Sequence, residues 1–238
     1  MLAAAGLCSR RQAEDLIRRR LVLVNGEVCD NPALRIDPAK DVVEYRGKRI
    51  ILPSKKTACL ILYKTAGYVT STGDPHHRKT VYQLLPKAER GTRWLYVGRL
   101  DKDTEGLLVF TDSGELVHAL SHPSYKVAKH YRVEVAGRLG RQDLKKLERG
   151  FEVEGRLMKM DQARILPSEK NITRLELVLH HGEKRQIKRM LGQLGYRVIS
   201  LCRTRFGPLT LAGLKPGECR RLEEKEMEDL MRAIGKTG

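Results

Sequence analysis

The chain has 238 residues, enough for one large domain or for a small domain beside a medium one. Its 46 Lys and Arg against 29 Asp and Glu give a formal net charge of +17, an excess too large for incidental solvation and one that points to a polyanionic partner. No apolar run is long enough to span a bilayer and no signal-peptide pattern opens the chain, so the expectation is nucleic acid, no membrane, and a cytoplasmic location.

In chain order, Ser9-Arg10-Arg11-Gln12 has the form of a capping box, with Ser9 as N-cap and Gln12 reaching back. A helix to about Arg20 follows, turning Ala13, Leu16 and Ile17 inward at helical spacing. Arg10, Arg11, Arg18, Arg19 and Arg20 flank that face and outnumber its acids, Glu14 and Asp15. Such arginines are ordinarily a solvated face; here they also suit an RNA backbone. Leu21 to Val28 then places two short apolar runs around Asn25-Gly26, a pair that favours a type I′ hairpin because both residues must reach positive φ. A third strand is expected at Asp41–Tyr45, and the basic, Pro-containing 48–56 stretch reads as a linker.

From residue 57 to 238 the pattern is strand-rich with interleaved helices. Strands are expected at Ala58–Tyr63, Trp94–Val97, Leu107–Thr111, Lys129–Ala136, Met158–Ile165, Ile172–His180 and Val198–Arg203. Helices fit Gly114–Leu120, Arg141–Arg149, Glu183–Leu194 and Glu223–Ile234. This mixture predicts an α+β domain around a mixed, largely antiparallel sheet, preceded by a small N-terminal module. The five cysteines are scattered without Cys-x-x-Cys spacing, and the pairs His76-His77 and His180-His181 point to opposite faces if on strands. Neither arrangement suggests a metal site.

Three segments carry unusual chemistry. Val97 to Thr111 presents Asp101 on a tight polar turn between two apolar runs, as a nucleophile or acid/base group requires. The same Asp-x-Asp-Thr-x-Gly run is equally a well-formed turn whose oxygens satisfy backbone N–H groups. In Gly182 to Met190, Lys184, Arg185, Lys188 and Arg189 crowd the start of a helix, against its macrodipole. Cations there make sense facing a phosphate or a carboxylate. Arg203 to Leu209 is a basic-aromatic stretch suited to backbone contacts and stacking.

The N-terminal segment, about Ala4 to Gly47, resembles the alpha-L RNA-binding module of ribosomal proteins and RNA-modifying enzymes. Family members carry a full helix before the Cys-Ser-Arg-Arg position, where Met1–Leu7 stand here. That leaves two readings, a clipped module or a start downstream of the true one. Gly98 to Ser124, followed by "KHYRVEV", "GEKRQIKRML" and "RTRFGPL", resembles the bacterial ribosomal-RNA pseudouridine synthases, the branch with an N-terminal alpha-L module. The resemblance covers nearly the whole chain. It implies breakage of the uridine N-glycosidic bond, rotation of the uracil and rejoining through C5, with no cofactor and no metal. Asp101 then takes the attacking position, Tyr131 stacks on the flipped base and assists proton transfer, and Lys188 is the cation paired with Asp101.

The resemblance further implies that Arg99 steers the flipped nucleotide's phosphate, with Arg185, Gln186 and Arg189 as second-tier RNA or structural contacts. Arg203 and Arg205, and Arg10, Arg11, Arg18 and Arg19 in the module, complete the expected RNA contacts. The family's Asn-Lys-Pro-x-Gly appears as Tyr63-Lys64-Thr65-Ala66-Gly67, which keeps Lys64 and Gly67. Gly67 is expected to supply a backbone turn beneath the site. The Arg78–Pro86 run and the style of Arg203–Gly207 look closer to large-subunit (23S) than to small-subunit synthases, and a monomer is expected. A non-catalytic RNA-binding or ribosome-assembly protein is the alternative, against which the joint presence of Asp101, Tyr131 and Lys188 argues. A metal-dependent nuclease built on Asp101 and Asp103 ranks last, for want of further clustered ligands.

Overall fold

A computed structural model describes residues 1–51, 57–73, 76, 78–168, 171–211 and 213–235. The chain divides into two compact units, Met1–Thr57 and Ala58–Gly238.

The first unit opens with turns over 1–7, where the Ala5 amide donates to the Met1 carbonyl at 2.9 Å and Leu2 is buried. Helix α1 (Arg10–Arg18) starts at Ser9 with the expected capping box: Gln12 N–H to Ser9 Oγ at 3.2 Å, and Ser9 N–H to Gln12 Oε1 at 2.9 Å. Four strands follow, β1 (Val22–Val24), β2 (Glu27–Cys29), β3 (Val43–Tyr45) and β4 (Lys48–Arg49), in the order β2-β1-β3-β4. Asn25 (φ 54°) and Gly26 (φ 84°) make the tight turn between β1 and β2. β4 and the buried Ile50 fall in the stretch expected as linker, and its part 52–56 lies outside the described residues. Leu2, Ala13, Val22, Val43 and Ile50 form the core of this unit, while Arg10, Arg11 and Arg18 are exposed and Arg19 pairs with Asp15 at 3.6 Å. Ser9→Ala removes one half of the cap, worth about 1 kcal/mol. The α1 amides are then expected to exchange with deuterium roughly fivefold faster, and unchanged protection would count against the cap's role.

The second unit is built on one nine-stranded sheet. Its elements run β5 (Cys59–Lys64), β6 (Leu95–Val97), β7 (Glu105–Thr111), α2 (Gly114–Ser121), β8 (Lys129–Ala136), α3 (Arg141–Arg149), β9 (Phe151–Val153), β10 (Arg156–Met158), β11 (Gln162–Leu166), β12 (Ile172–Leu179), α4 (Gln186–Gln193), β13 (Val198–Phe206), β14 (Leu209–Thr210), β15 (Cys219–Arg221) and α5 (Glu224–Ala233). The main path is β11-β12-β8-β13-β7-β5-β15, antiparallel except for the β13–β7 pair. The strand expected at Met158–Ile165 is two: β10 closes a hairpin with β9, and β11 starts only at Gln162. Glu154 (φ 51°) and Gly155 (φ 75°) make that hairpin turn. Short strands of this kind carry too little periodicity to stand out from a loop.

The apolar runs of β5 and β7 are continuous because both faces of the sheet are covered here. Ile61, Leu107 and Val109 face one cluster with α2 and α5; Leu60, Leu62, Leu108 and Phe110 face another with Val81, Leu85 and Trp94. β8 alternates as expected, with Val133 and Val135 buried against α3 and α4 and Tyr131 partly buried on the same side. At the single parallel junction Gly106 lies opposite Arg203. A Cβ at Gly106 would stand 2.3 Å from the Arg203 carbonyl oxygen, so only glycine lets the two strands meet there.

Candidate active site

The segment entering β7 forms a tight turn in which the Thr104 amide donates to the Asp101 carbonyl at 3.1 Å. Two neighbours lock it. Thr70 Oγ1 donates to the Leu100 carbonyl at 2.8 Å, and Leu100 itself is buried. Lys64, wholly buried at the end of β5, gives its ammonium to the carbonyls of Asp101 (3.0 Å), Thr104 (2.6 Å), Thr65 (3.1 Å) and Lys102 (3.3 Å). Burial pushes that ammonium down to about 8, against the opposing pull of Glu105, Asp103 and Asp101. Lys64 therefore holds the turn and has no surface to offer RNA, which corrects its expected place among the RNA contacts. Gly67 (φ 94°) donates its amide to the Lys102 carbonyl at 2.8 Å and supplies the expected backbone turn beneath the site.

With its main chain held, Asp101 projects a carboxylate that is 34% exposed into a cleft of about 480 Å³. Arg99, Thr104, Lys129, Tyr131, Arg185, Lys188, Arg203 and Phe206 also line this cleft. Tyr131 comes from β8, directly across from Arg203 of β13. The sequence-expected trio of Asp101, Tyr131 and Lys188 thus shares one concavity.

The pairing within it differs from expectation. Lys188 Nζ lies 2.7 Å from Asp103, while Arg185 Nη1 approaches Asp103 at 3.4 Å and Asp101 at 4.0 Å. Burial raises the Asp103 carboxyl, but the Lys188 hydrogen bond and charge, joined by Arg185, more than offset it and hold the group below its ordinary value. Asp103 and not Asp101 is the direct partner of Lys188, because α4 begins at Gln186 and its first turn meets the outer end of the turn. Arg185 is the N-cap of α4 in the left-handed region (φ 55°), a conformation that costs a non-glycine residue free energy.

Other expected contacts separate. Gln186 is buried, its Nε2 on the Lys159 carbonyl at 2.7 Å and its Oε1 accepting from the Glu183 amide at 2.9 Å, so both ends serve the fold. Arg189 turns to the β9–β10 hairpin and pairs with Glu154 at 2.6 Å. Of the two expected alternatives, RNA or structural contact, both make structural contacts: α4's helical spacing carries positions 186 and 189 off the face that holds 185 and 188. Arg99 is exposed at the cleft. Arg203 is almost fully buried, and a register shift between Arg203 and Arg205 leaves Arg205 exposed outside the cleft lining. Three groups were missed as site residues. Thr70 looks unremarkable in sequence, Thr104 reads only as part of the Asp-x-Asp-Thr-x-Gly turn, and Lys129 stands at the end of an alternating strand. The available signal was parity, since Lys129 shares a face with Tyr131.

Residues 58–193 match the family model described as RNA pseudouridylate synthase, and residues 1–43 match the S4 domain model. A protein of Aquifex aeolicus named as an uncharacterized RNA pseudouridine synthase is 40% identical over 235 residues, covering 98% of this chain and 93% of the relative. The ribosomal large subunit pseudouridine synthase B of Bacillus subtilis is 34% identical over 240 residues, covering 100% of this chain and 96% of the relative. A solved structure of a pseudouridylate synthase superposes with a TM-score of 0.67 at 27% identity, over 96% of each chain.

Proposed function

The chain belongs to the RNA pseudouridylate synthase family, and on that premise we propose that it isomerises a specific uridine of large-subunit ribosomal RNA, with Asp101 attacking the flipped nucleotide. The observation that carries this reading is the Asp101 carboxylate, free of main-chain duties and open to a cleft shared with Tyr131. A uridine reaches such a site only by leaving its stack, and the Tyr131 ring offsets part of that cost. Arg99 meets the nucleotide's phosphate. Lys188 and Arg185 act on the turn through Asp103, Arg185 adding positive charge at Asp101. The large-subunit target is supported by the full-length similarity to the Bacillus subtilis protein and by the Arg78–Pro86 run.

On this reading the protein works as a cytoplasmic monomer and needs no metal or cofactor. The S4 domain, with Arg10, Arg11 and Arg18 exposed on α1, adds affinity for the RNA backbone. No helix among the described residues is long and apolar enough to cross a membrane.

The test uses 23S and 16S ribosomal RNA transcripts labelled with tritium at uridine C5. Release from the 23S transcript is expected, because the C5 hydrogen departs when C5 joins the sugar. Release from the 16S transcript alone would overturn the target, and release from neither would overturn the isomerase reading.

A further inference from the structure

Three buried side-chain polar atoms lack a hydrogen-bond partner among the described residues: Thr104 Oγ1, Arg189 Nε and Arg203 Nη2. Arg189 is engaged elsewhere, on Glu154. The other two line the cleft that holds Asp101. Arg203 is only 2% exposed, yet it spends a single N–H, from Nε to the Leu107 carbonyl at 2.8 Å. Its guanidinium lies 5.2 Å from the Phe206 ring, and the Lys129 ammonium lies 5.6 Å from the same ring. Among the described residues Lys129 hydrogen-bonds to the carbonyls of Val127 and His180. Among the described residues neither cation has a carboxylate in ion-pair range.

A nearly buried Arg203 beside a partly buried Lys129, which feels only the longer-range pull of Asp161, opposes folding, since each loses hydration and repels the other. Burial, with the Arg203 charge added, pushes Lys129 down to about 8. The Nε bond to Leu107 serves the β13–β7 junction, but the Nη2 donor makes no hydrogen bond among the described residues. The site is nevertheless tightly made: Arg203 sits opposite Tyr131 on one side and opposite Gly106 on the other, the latter in backbone contact that admits no side chain. Cross-strand neighbours on one face bring their side chains within about 5 Å. Arg203 thus lines the same cleft as the ring expected to stack on the base, its cross-strand partner Tyr131.

We infer that Arg203, assisted by the Thr104 hydroxyl, donates hydrogen bonds to the carbonyl oxygens of the flipped uracil and stabilises the negative charge the base acquires during reaction. The inference rests on the isomerase reading, but not on any one route. If the carboxylate attacks C1′, the N1–C1′ pair leaves with the uracil, whose charge spreads onto O2 and O4. If a proton is first taken from C2′, the same bond breaks and the same anion forms. If the carboxylate adds to C6, the C5–C6 π pair moves towards C4 and the charge rests on O4. On the C6 route the N1–C1′ bond then breaks as well; in every case C5 bonds to C1′, the carboxylate leaves C1′ or C6 or the C2′ proton is restored, the C5 proton departs and N1 regains a proton, so the sum is an isomerisation. A fixed cation in a water-poor site lowers the barrier on each route.

The experiment compares full-length wild type with Arg203→Met and Arg203→Lys. It measures single-turnover tritium release at saturating 23S transcript, RNA affinity by filter binding, and thermal stability. Expected for Arg203→Met is a release rate roughly 10²–10³-fold lower, the size of effect from losing one such donor, with affinity and melting temperature held or raised. Arg203→Lys should regain part of the rate, because it restores charge without the fork. A release rate within twofold of wild type in folded Arg203→Met, or an Arg203→Lys no faster than Arg203→Met, would overturn the inference. So would a loss fully accounted for by weaker RNA binding. Those results leave the isomerase reading standing, which falls only if wild type itself releases no tritium.

Discussion

Asp101→Asn is expected to abolish isomerisation while leaving the fold and RNA binding as they are. The turn is held through main-chain atoms: the Asp101 carbonyl accepts from Lys64 and from Thr104, and the substitution leaves both in place. What the carboxylate loses is the approach of Arg185 at 4.0 Å between partly exposed groups, worth at most about 1 kcal/mol. The amide has nearly the same shape but is neither a nucleophile nor a base at neutral pH. Tritium release should drop to background, with the melting temperature within about 4 °C of wild type. Full turnover in the variant would sink the assignment of Asp101. A collapse in stability would show that the carboxylate, and not the main chain, organises the turn.

Gly106→Ala is expected to be the most damaging single-methyl change in the second unit. The added carbon would stand 2.3 Å from the Arg203 carbonyl oxygen and 2.5 Å from its nitrogen, and both contacts are backbone. No rotamer change relieves them. At φ 108° the alanine also enters a region L-residues avoid. Overpacking and backbone strain together amount to about 4 kcal/mol. For a chain of this size that lowers the melting temperature by roughly 10 °C. Because strain here pushes β7 from β13, the rate should fall even in the folded fraction, as Asp101 and Tyr131 lose their relative placement. A variant with wild-type melting and wild-type rate would mean that the two strands separate without consequence.

Much of the fold is legible in the residues because long elements repeat their own signals. β8 and α3 begin and end where their periodicity says, and the capping box at Ser9 and the Asn25-Gly26 turn declare themselves locally. β9, β10, β14 and β15 are two or three residues long, too short to show a period, and β15 moreover pairs with β5 far back in the chain, so no local pattern announces them. The site follows the same rule. Asp101 and Tyr131 sit in distinctive segments, whereas the pairing of Lys188 with Asp103 depends on where α4's first turn lands against another loop. Lys64 is the instructive case. A lysine closing an apolar strand reads as a surface cation, and only the folded chain brings four carbonyls around it.

The parallel pairing of β7 with β13 also orders events in time. Gly106 and Arg203 are about a hundred positions apart, and their meeting closes the largest loop in the sheet's centre. Hairpins such as β9–β10 close quickly because little chain entropy is lost; this contact waits until the intervening strands are placed. Before it forms, Asp101 belongs to one half-sheet and Tyr131 to the other, joined only through β13. A partly folded chain can therefore carry both groups without being able to react. Activity arrives with this long-range contact, so recovery of tritium release after dilution from denaturant would track the joining of β7 to β13 and lag the local helices.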